Sequence, residues 1–184
     1  MSAKTALVIA SNDSEESELV ITVDVLRRAG VNVTIASLQD EKIIHCHEGI
    51  NIQVDALLSD VQDDMFDAVI LPGGPGSQNL ADDERVGRIL ERHNHNGKVI
   101  GAICGGPQAL ASHKIASGAQ ITAYPAMQDK FSDYNFQKDA RVCVCKNLIT
   151  SQAPGTAFEF GVDIAKQLVG AEKAEEVRNF LLVR

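Results

Sequence analysis

A thiol stands at the centre of Ala102-Ile103-Cys104-Gly105-Gly106-Pro107, between an apolar run and a proline of the kind that opens helices. A small residue two positions before a nucleophile and another two after it, across a strand-to-helix turn, is the nucleophile-elbow pattern, here with Cys in place of Ser. Such a turn holds its central residue in strained backbone geometry, so the close neighbours must lack bulk. It also sets the sulfur near the N-terminus of the next helix, where unpaired N–H groups and the dipole favour thiolate over thiol. The alternative is a buried cysteine packed as a small hydrophobe. A second candidate is Leu71-Pro72-Gly73-Gly74-Pro75-Gly76, where backbone N–H groups can approach a ligand without a side chain in the way. No Gly-Lys-Ser/Thr follows it, which excludes a P-loop. Beside an elbow cysteine it reads as an oxyanion-binding wall. Glu18 is the third candidate. Carried to the same rim, its carboxyl would hydrogen-bond the Cys104 sulfur, and because two adjacent anions are costly it would be protonated, with its pKa raised. Otherwise it joins Glu15 and Glu16 as a partner of a helix dipole.

The remaining cysteines and the five histidines offer less. In an extended segment His45 and His47 share one face and Cys46 takes the other. Two imidazoles without a third and fourth ligand do not make a zinc site, so no metal is expected. Cys143 and Cys145 share one face of a strand, where a disulfide between residues two apart would be badly strained; both are read as reduced thiols. His93 and His95 precede Asn96-Gly97 at the polar end of a helix and are read as solvated. His113 lies nine residues past Cys104, too far along the following helix to touch the sulfur. That removes the simplest Cys–His dyad.

These groups need a scaffold, and the hydrophobic pattern supplies one. Continuously apolar runs at residues 5–10, 31–36, 67–71, 98–103 and 147–151 predict strands buried on both faces. Amphipathic segments at 15–29, 84–94, 106–113 and 156–168 predict helices between them. Such alternation means an α/β three-layer sandwich, a mostly parallel sheet with helices on both faces. Ligands of open α/β sheets bind beyond the carboxyl ends of strands, which is where the loop to Glu18, the Gly-rich turn and Cys104 fall. Asp13 or Ser14 is expected to cap the first helix, Glu15, Glu16 and Glu18 to fill its first turn, and Arg27, Arg28 and Gly30 to close it. Residues 42–54 predict two short strands turning at Glu48-Gly49, and 141–151 a hairpin turning at Lys146-Asn147, which makes the sheet mixed at an edge. Leu19, Val20, Val23 and Leu26 give the first helix more apolar face than one sheet contact requires, the mark of a partner surface.

At 184 residues and 19.8 kDa the chain suits one domain, residues 1–184, and 45% hydrophobic residues exclude a disordered chain. Lys plus Arg total 17 against 25 for Asp plus Glu, a net charge of −8 that argues against nucleic-acid binding. No apolar run approaches the roughly 18 residues that span a membrane. The six-residue apolar stretch within residues 1–10 is too short for a signal peptide's core with its cleavage site. A soluble cytoplasmic protein is expected, with nucleus or mitochondrion as alternatives, and four cysteines fit a reducing compartment.

Glu15-Glu16-Ser17-Glu18 with Val23-Asp24-Val25-Leu26-Arg27-Arg28-Ala29-Gly30, then Leu71-Pro72-Gly73-Gly74, Ala102-Ile103-Cys104, Thr150-Ser151 and Pro154-Gly155-Thr156-Ala157-Phe158-Glu159-Phe160, occur in one order. In that order and spacing the chain resembles, end to end, the DJ-one branch of the DJ-one/PfpI superfamily. The resemblance implies a flavodoxin-like α/β sandwich, no cofactor, and an obligate homodimer with the first helix at the interface and Cys46 near it. It implies that Cys104 is the reactive cysteine, Glu18 its protonated carboxyl partner, and Gly74 and Gly105 the backbone donors to an oxyanion. The implied activity is a glyoxalase III-type or deglycase reaction on methylglyoxal, glyoxal or their early glycation adducts. It runs through a Cys104 hemithioacetal with Glu18 as proton shuttle and releases hydroxy acids. The alternative is an oxidative-stress sensor or redox-regulated chaperone in which Cys104 oxidises to sulfinic acid. A cysteine peptidase or amidotransferase, the third reading, wants a His base that the chain does not place. Three positions depart from the family pattern. Tyr124, before Pro125, stands where a His is common; a phenol of pKa about 10 cannot act as an imidazole base but can donate a hydrogen bond. Glu48 and Gln152 stand where Arg is frequent, which removes an anion site and argues against anionic substrates.

Overall fold

In β1 (Thr5–Ala10) the reason for an unbroken apolar run is direct: Ala6, Val8 and Ala10 pack on one face of the sheet and Leu7 and Ile9 on the other. The computed structural model describes residues 2–184; Met1, where the stretch read against a signal peptide begins, lies outside them. From β1 the chain passes through α1 (Glu16–Arg28), β2 (Asn32–Ser37), an antiparallel hairpin of β3 (Ile43–His45) and β4 (Asn51–Gln53), β5 (Ala56–Leu57) and α2 (Leu58–Val61). Next come β6 (Ala68–Leu71), α3 (Ser77–Asp82), α4 (Glu84–His95), β7 (Val99–Ile103) and α5 (Pro107–Ser112). Short β8 (Gln120–Ile121) and β9 (Asn135–Phe136) flank a 3-10 segment over Pro125–Phe131, and β10 (Val142–Cys145), β11 (Leu148–Ser151), α6 (Ala157–Val169) and α7 (Ala171–Phe180) follow.

Seven strands form one sheet in the order β10-β11-β7-β6-β1-β2-β5, parallel except for β10, which runs antiparallel to β11 at the edge. α1, α6 and α7 bury their apolar sides against one face, and α2 to α5 against the other. This is the expected three-layer α/β sandwich of flavodoxin-like type, mixed at one edge. From β1 the chain steps to β2 on one side, and from β6 to β7 on the other. The carboxyl ends of β1, β6 and β7 therefore open a crevice at the point where the direction of winding reverses. Among the described residues no helix is long and apolar enough to cross a membrane.

The cap of α1 differs from expectation. Glu15 is the N-cap, its carboxylate accepting from the Ser17 N–H at 3.2 Å. Ser14 Oγ is already engaged, accepting from the Ser11 N–H at 3.0 Å, and Asp13 sits at φ 61° inside the turn that leaves β1. At the other end Gly30, at φ 83°, closes the helix as read. The apolar surplus of α1 is also largely spent within the chain. Leu19, Val23 and Leu26 are buried in the core, and Gly161 admits Val25 so closely that a Cβ there would lie 2.9 Å from it. Val20 alone of the four faces outward, 51% exposed.

His93 overturns the reading of a solvated cap histidine: it is 0% exposed. It continues the buried stripe of Val86, Ile89 and Leu90 on α4, three to four residues apart. Its Nδ1–H donates to the Ile89 carbonyl at 2.7 Å, and Nε2 accepts from the Phe66 N–H at 3.1 Å, which fixes a neutral ring. Burial, with Arg92 and Lys98 nearby, holds its pKa below the ordinary 6.5 although the Ile89 bond pulls the other way. A depressed histidine contributes stability that is complete above its unfolded pKa and is lost as pH falls through its folded one. His93→Gln keeps an acceptor for the Phe66 N–H and does not titrate. Its melting temperature should therefore fall less than the wild type's as pH drops below about 6.5. Equal slopes in thermal scans below that pH would refute the assignment.

Candidate active site

Cys104 follows β7 directly, with φ at 60°, the left-handed backbone that an elbow imposes. The conformation is over-determined by its neighbours. The Cys104 N–H donates to the Ser151 carbonyl at 2.9 Å, the Cys104 carbonyl accepts from the Tyr124 N–H at 3.0 Å, and the Gly106 N–H donates to Ile103 at 2.8 Å. The small residues of the motif are required by space. A Cβ on Gly106 would lie 2.5 Å from the Leu71 carbonyl oxygen, and one on Gly105 would lie 2.5 Å from Ser77 Oγ.

Glu18, in the first turn of α1, reaches the same point from the side of β1 and is fully buried. Its Oε2 accepts from the Gly73 N–H at 2.8 Å. Gly73 is the spacer between acid and thiol: a Cβ there would lie 2.5 Å from Glu18 Oε2 and 2.6 Å from Cys104 Cβ. With that space empty the carboxyl and the thiol are near enough to shift each other's titration, and the buried Glu18 Oε1 has no hydrogen-bond partner.

Burial pushes the Glu18 carboxyl up to about 7, against the Gly73 N–H and the Cys104 thiol, which favour its charged form. Burial, then the charge and hydrogen bond of Glu18, push Cys104 up to about 12, against the Gly74 and Gly105 N–H groups, which pull it down. Burial thus works against the acidification expected at the elbow. α5 is only six residues long, and burial outweighs the two N–H donors. The charge on Glu18 disfavours ionisation of the thiol, since two adjacent anions repel, and with a proton on Glu18 that charge is gone.

A pocket of about 360 Å³ opens above the sulfur. Cys104, Gly74 and Gly105 form its reactive end, and Tyr124, half-exposed, stands on its wall. No histidine lines it; His113 sits at the far end of α5, its Nε2 3.2 Å from the Leu80 carbonyl. Glu48 and Gln152 do not line it either. The Glu48 N–H donates to the Glu16 carboxylate at 3.1 Å, and Gln152 Nε2 donates to the Lys138 carbonyl at 2.9 Å. Cys46 is buried between exposed His45 and His47, and among the described residues no group of three or more His, Cys, Asp or Glu is placed to hold a metal. Cys143 and Cys145 are free thiols.

Sequence reasoning missed one wall of this pocket. Ser77 on α3, Gln108 on α5 and Lys130 in the Pro125–Phe131 segment meet there, from three segments that only the fold brings together. Of these Ser77, just past the Gly-rich turn, and Gln108, next to the elbow proline, stood near a recognised motif, and Lys130 did not.

Comparison with known proteins agrees with the geometry. The family model described as DJ-1/PfpI family matches residues 4–167. The chain is 43% identical over 183 residues to Protein dj-1beta of Drosophila melanogaster, covering 98% of each. The crystal structure of Drosophila melanogaster DJ-1beta superposes with a TM-score of 0.97 over 100% of both chains. Glutathione-independent glyoxalase DJR-1.2 of Caenorhabditis elegans is 38% identical over 176 residues, 95% of this chain and 94% of that protein. A structure of Toxoplasma gondii DJ-1, described as oxidized, is 35% identical and superposes with a TM-score of 0.94 over 98% of both chains.

Proposed function

The chain belongs to the DJ-1/PfpI family, and from that premise we propose that it is a cofactor-independent glyoxalase/deglycase working through Cys104. Its substrates are methylglyoxal and glyoxal, free or as early glycation adducts, and its products are 2-hydroxy acids. The observation that carries this reading is the Cys104–Glu18 pair, a thiol at the elbow beside a fully buried carboxyl whose pKa burial raises to about 7. The thiolate adds to the aldehyde carbon, and the oxyanion of the hemithioacetal takes hydrogen bonds from the Gly74 and Gly105 N–H groups. Glu18 then moves a proton from that carbon to the neighbouring one, so the aldehyde carbon is oxidised as the ketone carbon is reduced. Water cleaves the resulting thioester and restores the thiol. The sum is dicarbonyl plus water giving hydroxy acid, with no outside electron acceptor. The worm relative's name supports the same chemistry without glutathione. Incubation of the purified protein with methylglyoxal, in the absence of glutathione, should yield lactate over many turnovers per chain; consumption that stops at one equivalent defeats the proposal.

A second reading uses the same pair. The Toxoplasma relative is described as oxidized, and a sulfinate on Cys104 would accept a hydrogen bond from protonated Glu18. Turnover separates the two, since a sensor is modified once. The peptidase or amidotransferase reading lacks a histidine in the pocket.

The active assembly is proposed to be a homodimer with α1 at its two-fold interface. With Leu19, Val23 and Leu26 committed to the core, Val20 is the apolar residue of that helix most open to a partner, with Ile21 partly buried beside it. Light scattering should give about twice 19.8 kDa, and Val20→Asp should shift the protein toward monomer with loss of activity. An unchanged mass in that variant would remove Val20 from the interface.

A further inference from the structure

We propose that Lys130 makes the Cys104 pocket selective for 2-oxoaldehydes that carry a carboxylate at the end remote from the aldehyde. The inference rests on Cys104 being the reacting group. Lys130 is the one charged side chain lining the pocket, and among the described residues it forms no salt bridge. Its ammonium is nevertheless held in place. Lys130 Nζ donates to Gln108 Oε1 at 3.0 Å, Gln108 Nε2 donates to Ser77 Oγ at 2.7 Å, and the Ser77 hydroxyl donates to the Gly74 carbonyl at 2.7 Å.

The order of donors in this chain is forced. An ammonium only donates, so Gln108 must turn its oxygen to Lys130 and its nitrogen to Ser77, whose hydroxyl then passes its proton direction to Gly74. Gln108 and Ser77 are 8% and 2% exposed, so the series is built into the protein and does not depend on surface side chains alone. It leaves two of the three ammonium donors for a ligand. It also ties the cation to Gly74, whose N–H faces the sulfur. One pocket thus has a reacting end at Cys104 and an anion-binding end at Lys130, with Met127 and Pro75 as apolar lining for the carbons between.

A carboxylate fits this end better than a phosphate. The pocket offers a single compact positive charge and the Tyr124 hydroxyl, with no guanidinium fork, in a chain of net charge −8 that opposes dianions. The arginines absent at positions 48 and 152 are therefore compensated in part, from a different element of the fold.

Alkylation of Cys104 tests the inference without turnover. The ratio of the iodoacetate rate to the iodoacetamide rate divides out the reactivity of the thiol and leaves its preference for an anion. At low ionic strength Lys130→Met should lower this ratio about fivefold, Lys130→Glu should lower it further, and Lys130→Arg should keep it, with the difference shrinking as salt is added. A ratio unchanged in both Lys130→Met and Lys130→Glu overturns the proposal. In turnover, wild-type protein should prefer 4,5-dioxopentanoate to its methyl ester, and Lys130→Met should erase that preference through KM with little change in kcat. A preference that persists in the variant overturns the proposal. A wild type that converts neither compound sinks the glyoxalase reading instead, while the alkylation ratio still decides for or against Lys130.

Discussion

Replacing Cys104 by serine should lower lactate formation from methylglyoxal by about a thousandfold or more. The change replaces the polarisable sulfur by oxygen and leaves the steric frame alone, so the elbow should persist at its left-handed φ with the Ser151 and Tyr124 backbone bonds intact. What is lost is ionisation. A serine hydroxyl needs a base to become a nucleophile, and the groups within reach do not supply one. No histidine lines the pocket, and Glu18, with a pKa of about 7, is far too weak a base to deprotonate an alcohol. Lactate measured against a thermal scan of the same sample separates chemistry from folding. A variant that melts like the wild type and keeps most of its activity would take the nucleophile assignment with it.

The elements that determine this site were legible to different degrees, for physical reasons. Strands buried on both faces announce themselves as unbroken apolar runs, and β1, β6 and β7 were placed that way. The elbow was legible because its steric demand is local: Gly106 is small because Leu71 leaves no room. Glu18 was harder, since a carboxylate in a first helical turn has an ordinary role at the dipole. Its other role depends on Gly73, 55 residues away, being too small to keep acid and thiol apart. His93 was misread because a polar residue at a helix end suggests solvent, although its spacing from Val86 and Ile89 already put it on the inner face. The wall of Ser77, Gln108 and Lys130 was not legible as a group, although Ser77 and Gln108 each follow a recognised motif. Its members sit on separate elements, and their meeting is a product of the crossovers around the sheet.

Glu18→Gln should separate the two roles proposed for the buried acid. The amide keeps an oxygen for the Gly73 N–H, so the first turn of α1 should stay docked. It cannot ionise or carry a proton between carbons, and turnover should fall by about a hundredfold or more. The thiol should respond differently. In the wild type the charge and hydrogen bond of Glu18 add to burial in pushing the Cys104 thiol up to about 12. Without the carboxyl only burial remains to raise the thiol, against the Gly74 and Gly105 N–H groups. The alkylation midpoint of Glu18→Gln should therefore lie below that of the wild type. Stability carries a matching signature. A carboxyl whose folded pKa is raised above its unfolded 4.5 favours the folded state most at low pH, and that advantage is lost as pH climbs to about 7. The wild type should lose this increment across the window and the glutamine variant should not. If the variant keeps the wild-type alkylation midpoint, the carboxyl does not raise the thiol. If it keeps the wild-type turnover as well, Glu18 is the dipole partner that its place in the helix first suggested.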